Sequence, residues 1–370
     1  MGRSLLLVAG ETSGDLHGAN LARALRALDP GLRLAGAGGP RMREAGVEIL
    51  ADPSRHASVG LVEALRNFGA YARLYRLLVS ALRTRRPSAA VLIDSPDFNL
   101  RFAERVVDHG IPVLYYIAPQ VWAWRPGRLR TLRRLVRKVI VILDFEERIF
   151  REAGVDAVYV GHPLLDALRP VDPAAARREF GNPPVLIGLL PGSRPSQFRV
   201  LFPILREAAA RIAREIPAAR FVVACAPAVD PAAARDAGFP AVRDRTPEVM
   251  AASDLLLTAS GTATLEAALY GTPMIVTYKL HPLTALTLGP LIRIRDYALV
   301  NIVAGRRIMP EYYQCRARPA LIAREAVALL KEGRLPAMRK ELEEVRRRLG
   351  APGASRRAAA EILKALSPAP

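Results

Sequence analysis

The sequence predicts an α/β protein made of two doubly wound, parallel-sheet domains facing each other across a cleft. Three observations lead there. Short apolar runs alternate with longer stretches of helical periodicity, the rhythm of successive βαβ units. Most of those runs are continuous in Val, Ile and Leu, as strands covered on both faces require. The two halves also open alike, each with an apolar run, a turn of small residues and a helix start. With 370 residues, 51% hydrophobic and 24% charged, the chain can fill two cores and is too apolar for intrinsic disorder.

In chain order, strands are expected at 5–9, 32–37, 89–93, 112–117, 139–143 and 157–160, then at 185–190, 220–225, 254–258 and 273–278. Between the two series, residues 162–184 carry Pro163, Pro170, Pro173, Pro183 and Pro184 and read as the crossing between domains of 1–164 and 165–350. The Ala/Arg/Glu-rich tail from 335 reads as helix, interrupted at 350–355. The first strand runs into Gly10-Glu11-Thr12-Ser13-Gly14-Asp15 and its counterpart into Pro191-Gly192-Ser193-Arg194-Pro195-Ser196. A strand, a tight turn and a helix N-terminus together offer backbone N–H groups to an anion.

Composition removes several classes. Cys225 and Cys315, far apart, make neither a disulfide framework nor a four-ligand zinc site, and the five histidines show no metal-ligand spacing. The 5–9 run is too short for a signal segment, and no stretch approaches the ~18 apolar residues of a spanning helix. The first turn is not G-x-G-x-x-G, and the second strand ends in Gly36-Ala37-Gly38-Gly39 without an acidic residue, against a dinucleotide dehydrogenase. P-loop and G-x-S-x-G patterns are absent. A formal charge of +19, from 54 Lys and Arg against 35 Asp and Glu, asks for an anionic partner: nucleic acid, a membrane surface or a phosphorylated substrate.

Four constellations carry chemistry. Asp94 and Asp97 follow the 89–93 strand, where carboxylates suit general-base work, although Asp97 also fits a helix cap. Ser260-Gly261-Thr262 with Glu266 follows the 254–258 strand and suits a diphosphate and sugar hydroxyls, with a capping box as the structural alternative. Trp122 and Trp124 stand before a basic run from Arg125 to Lys138, either a solvated helix face or a rim for phosphate and anionic lipid. Stretches 60–86, with Phe68, Tyr75 and Arg76, and 283–295 are apolar and Arg-rich. Each is a core-facing helix or a membrane-lying one.

These residues also fall into longer blocks: VAGETSGD (8–15), GGPRM (38–42), IDSPDFN (93–99), PQVWAWR (119–125), VGHPLLD (160–166), LLPGSR (189–194), ASGTATLE (259–266) and Tyr297 through Asn301 to Gly305. In this order, over most of the chain, they resemble the lipid-A-disaccharide synthase family. The resemblance implies a GT-B fold of two Rossmann-like domains, with segment 351–370 joining the first domain. It implies an inverting transfer of 2,3-diacylglucosamine from its UDP conjugate to 2,3-diacylglucosamine 1-phosphate, giving a β-1,6 disaccharide and UDP. No cofactor and no required metal are implied, which agrees with the lack of a D-x-D triplet. By the same resemblance Asp94 is the base, with His17 a second candidate. Ser193, Arg194, Ser260, Gly261, Thr262, Glu266 and Asn301 hold the nucleotide sugar. Glu11, Ser13, Asp15, Asp97, Trp124 and Arg125 belong to the acceptor side. The expected setting is the cytoplasmic face of the inner membrane, as a peripheral monomer or homodimer with no nucleic-acid partner. The alternative is another UDP-sugar enzyme of the same fold, an epimerase or a peptidoglycan glycosyltransferase.

Overall fold

The computed structural model describes residues 3–10, 12–53, 68–279 and 296–366. Glu11, residues 54–67, the side chain of Phe68 and residues 280–295 lie outside the described residues, and with them the expected amphipathic stretch at 283–295. The chain forms two compact units: Met1–Asp166 with Leu349–Pro370, and Ala167–Arg348.

The first unit is built on seven parallel strands, β1 (Ser4–Ala9), β2 (Arg33–Ala37), β3 (Glu48–Ala51), β4 (Ala89–Ile93), β5 (Val113–Tyr116), β6 (Lys138–Val141) and β7 (Ala157–Tyr159). They lie in the order 3-2-1-4-5-6-7. Both faces are covered, which is why the strand sequences do not alternate. On one face Leu6, Val8, Leu92 and Tyr115 pack with Leu78 and Phe102 from helices Phe68–Arg85 and Pro96–Asp108. On the other, Leu5, Leu7, Ile93 and Leu114 pack with Leu21 and Leu25 of helix Thr12–Leu28 and Ile362 of helix Ala354–Leu366.

That last helix belongs to the first unit although it follows the whole of the second. The VGHPLLD block secures it. The Asp166 carboxylate accepts from the backbone N–H of Gly353 and of Ser355 (2.9 Å), and Arg357 Nε donates to the Val160 carbonyl (2.7 Å). Asp166 thereby satisfies amide donors that the helix start leaves without intrahelical partners.

The second unit has six parallel strands: β8 (Val185–Leu190), β9 (Ala219–Cys225), β10 (Ala241–Arg243), β11 (Leu255–Ala259), β12 (Met274–Tyr278) and β13 (Glu311–Tyr313), ordered 10-9-8-11-12-13. Strands β3, β10 and β13, not expected from the sequence, all lie at sheet edges, where short strands bearing charged residues are tolerated.

Helix Phe68–Arg85 turns its apolar stripe inward, with Leu74, Leu78 and Leu82 buried. Tyr75, expected to face lipid, instead meets Phe98 and Phe102 edge-on at 6.3 and 6.2 Å. Ring-edge packing inside an apolar layer is the more stable place for it, and only Arg76 of the described pair is exposed. No helix among the described residues is long and apolar enough to cross a membrane.

Candidate active site

Both sheets reverse strand order beside their first strand, between β1 and β4 and between β8 and β11. At such a switch point neighbouring loops leave the strand ends in opposite directions and open a crevice. The four loops concerned are the two small-residue turns, the Asp94 loop and the Ser260 loop.

In the first unit, Asp94 and Ser95 both take left-handed backbone conformations, φ 50° and 45°. The turn is fastened from below. Tyr115 Oη and Asn99 Nδ2 each donate to the Asp94 carbonyl at 2.7 Å, and Asn99 Nδ2 also reaches the Ile93 carbonyl at 3.2 Å. Burial pushes the Tyr115 hydroxyl well above the usual tyrosine range, and the neighbouring Asp94 charge adds to this. Tyr115 therefore stays a proton donor. Gly10 abuts this turn so closely that a Cβ there would lie 2.5 Å from Ser95 Oγ. Ser95 Oγ and Asn99 Oδ1 are buried without a hydrogen-bond partner among the described residues. Orphaned polar atoms of this kind collect at functional sites.

Asp97 does not cap its helix; Ser95 holds the cap position, with Pro96 in the first turn. The Asp97 carboxylate instead accepts from Arg125 Nη1 at 2.7 Å and from Arg128 Nη2. Both guanidiniums also lie over the Trp124 ring, 4.6 and 4.8 Å from its centroid. Trp122 donates to Glu146 Oε1 at 3.0 Å, and burial pushes the Glu146 carboxyl up to about 7.

In the second unit, a pocket of about 470 Å³ opens at the ends of β8 and β11. Ser193 and Arg194 come from one turn, Ser260, Gly261 and Thr262 from the other, and Glu266 reaches it from helix Thr262–Leu269. Gly192 (φ 120°) and Gly261 (φ 147°) are in conformations that favour glycine, and a Cβ on Gly261 would meet only open space. The backbone there is bare for a ligand. Ser260 Oγ donates to the Tyr297 carbonyl at 3.0 Å. Glu266 is not part of a capping box, because Gly261 is the cap residue and offers no side chain. Burial raises its carboxyl, against a weaker opposing pull from Arg169. Gln197, Thr246 and Tyr278 also line the pocket and carried no motif signal.

Two expected site residues are committed to the fold instead. Asp15 is 2% exposed, and its carboxylate accepts from the N–H groups of Gly39 (2.7 Å), Met42 (3.0 Å) and Arg41 (3.1 Å). It thereby ties the VAGETSGD block to the GGPRM block. Asn301 is fully buried. Its Nδ2 donates to the Met309 carbonyl and Glu311 Oε1, and its Oδ1 accepts from Ile308 and Met309, all within 2.9 Å. With every polar atom engaged it has nothing left for a nucleotide. Ser13 is exposed in the first turn of its helix. His17 lies near His162, with its Nδ1 buried and without a hydrogen-bond partner among the described residues. Burial pulls both rings down to about 4, so both are neutral at pH 7.

Two switch-point α/β units of this kind define the GT-B architecture of nucleotide-sugar enzymes. A solved structure of that fold, UDP-GlcNAc 2-epimerase from Neisseria meningitidis bound to UDP-GlcNAc, superposes with a TM-score of 0.65 over 98% of this chain and all (100%) of that one, at 12% identity. That likeness speaks for the fold alone. The sequence pattern of the family described as Lipid-A-disaccharide synthetase matches residues 5–365. Lipid-A-disaccharide synthases from Anaeromyxobacter dehalogenans (strain 2CP-C) and Geobacter sulfurreducens are 44% and 42% identical. The alignments cover 97% and 98% of this chain, and 96% and 97% of those proteins. The chain belongs to the lipid-A-disaccharide synthase family.

Proposed function

We propose that the protein transfers 2,3-diacylglucosamine from its UDP conjugate to 2,3-diacylglucosamine 1-phosphate, forming a β-1,6 bond with inversion and releasing UDP. The observation that carries the reading is the second-unit pocket, where a basic side chain, bare backbone and hydroxyls converge on one space beside the half-buried Glu266 carboxylate. Arg194 and the helix starts after Ser193 and Gly261 supply positive charge for a leaving diphosphate without calling on a metal ion. Glu266 accepts from sugar hydroxyls. The first unit takes the acceptor, with Asp94 as base. As the acceptor hydroxyl attacks the anomeric carbon, its proton passes to Asp94, the new C–O bond forms, and the bond to the diphosphate breaks with its electron pair leaving on UDP. Such a base contributes ~10²–10⁴-fold.

The exposed arginines of helix Phe68–Arg85 and the Arg125–Lys138 run support seating on an anionic membrane surface, where the acylated substrates reside. Incubating the purified protein with the UDP-diacylglucosamine donor and the monosaccharide 1-phosphate acceptor tests the reaction directly. Disaccharide and UDP in equal amounts are expected; consumption of soluble UDP-N-acetylglucosamine in their place overturns it.

A further inference from the structure

We infer that Arg125 and Arg128, stacked on Trp124, form a subsite for a phosphate monoester, and that Asp97 occupies it as a displaceable internal anion. This rests on the reading of the first unit as the acceptor side and adds to it which residues take the acceptor's phosphate.

The two arginines hold more donors than their shared acceptor can match. Each guanidinium carries five N–H donors in a fixed fork. Here two of them converge on a single oxygen, Asp97 Oδ1. The Arg128 side chain is only 10% exposed, so water does little for its remaining donors, and Asp97 is its hydrogen-bond acceptor among the described residues. Two cations facing one carboxylate leave one positive charge over. A phosphate with three oxygens and up to two negative charges satisfies both the donors and the charge better than a carboxylate does. Asp97 is itself 68% exposed and on a short side chain, free to swing into water once displaced.

The surroundings fit a ligand rather than a structural clamp. A clamp needs no strain, yet Arg125 is held with φ 51°, a left-handed conformation uncommon for a side chain with a Cβ. The Trp124 ring, lying under both guanidiniums, holds the two cations together at one place instead of letting them repel apart. The cluster also belongs to the corner of Asp94: Tyr115, whose hydroxyl holds the Asp94 carbonyl, feels the charges of Arg128, Asp94 and Asp97 together.

Tryptophan fluorescence of the full chain, titrated with glucosamine 1-phosphate and with glucosamine, tests the proposal without needing turnover. Tighter binding of the phosphate-bearing sugar is expected, with inorganic phosphate competing. Arg128→Gln and Arg125→Gln should each weaken it about 10- to 100-fold, towards the level of glucosamine. Asp97→Asn should strengthen it several-fold, which removal of a purely structural partner would not do. Equal binding of the two sugars by the unaltered protein overturns the subsite. So does weakening by Asp97→Asn, or loss in the arginine variants of binding to phosphatidylglycerol vesicles with glucosamine 1-phosphate binding intact. Phosphate-dependent binding that survives alongside failed disaccharide synthesis would sink the reaction and keep the subsite; synthesis without phosphate-dependent binding would do the reverse.

Discussion

Two successive left-handed residues, Asp94 and Ser95, cost roughly 1–2 kcal/mol each, and Tyr115 and Asn99 hold them in place through the Asp94 carbonyl. Strain held by such specific bonds fits a residue that must present its carboxylate in one direction. Asp94→Asn keeps the shape and removes the base, so turnover should fall at least ~10²-fold while the UDP dissociation constant stays within about twofold. Near-normal turnover would move the base to His17. Glu266→Ala should weaken UDP-sugar binding about tenfold, read by calorimetry, and unchanged affinity would return Glu266 to the fold. Asn301→Ala should do the opposite. It strands several buried donors and acceptors, so urea unfolding should show a loss of about 3 kcal/mol, with the UDP dissociation constant unmoved. The positions of Asp94 and Glu266, in segments that follow buried strands, were legible from the apolar runs before them. The partners of Asn301 were not legible, because whether an amide points at a ligand or at Met309 depends on chain folded back from eight residues away.

At the scale of elements, the buried strands announced themselves. Ala89–Ile93 and Val185–Leu190 were expected with the bounds the structure gives them, since a strand covered on both faces must be apolar throughout. Glu48–Ala51, Ala241–Arg243 and Glu311–Tyr313 were missed because an edge strand of three or four residues with polar positions has no such signature. The amphipathic helix shows the limit of periodicity. A stripe of Leu74, Leu78 and Leu82 reads equally as core-facing or lipid-facing, and the aromatic packing of Tyr75 on Phe98 and Phe102 assigns that face to the core. The proposed membrane seating then rests on the exposed cations. Replacing Arg73 and Arg76 with Glu should lower flotation on anionic liposomes several-fold at low salt, with little effect at high salt; unaltered flotation would assign seating to other residues.

For the whole molecule, buried titratable groups set the response to acid. His17 and His162 titrate near 6.5 when unfolded and near 4 when folded. Between those values the unfolded chain binds more protons, so stability falls as pH drops, by up to ~1.4 kcal/mol per pH unit for each ring. Glu146 acts in the opposite sense: raised from 4.5 to about 7, it keeps its proton in the fold, and its burial costs less as pH falls through that window. The two rings therefore lower stability towards acid, opposed by Glu146 and by Glu266, whose carboxyl burial also raises. His17→Leu should flatten the decline between pH 6.5 and 4 in urea unfolding; an unchanged slope would mean that His17 is not held neutral by burial.

The sequence by itself determined the alternation of buried strands and helices, the four loops at the switch points on which the proposed chemistry rests, and the family. These follow from local patterns: unbroken apolar runs, small residues where backbone must be bare, and motif blocks in a fixed order. Tertiary structure decided what each polar group in those blocks is for. Asp15 and Asp166 fasten helices, Asn301 fills a buried hydrogen-bond set, and Asp97 sits between two arginines. Sequence records which donors and acceptors exist; their partners come from separate segments, 8 residues away for Asn301 and 189 for Asp166, and the net value of a polar group depends on which partner burial gives it. The +19 charge shows the same division, since only the fold separates cations stacked on an indole from those left in water.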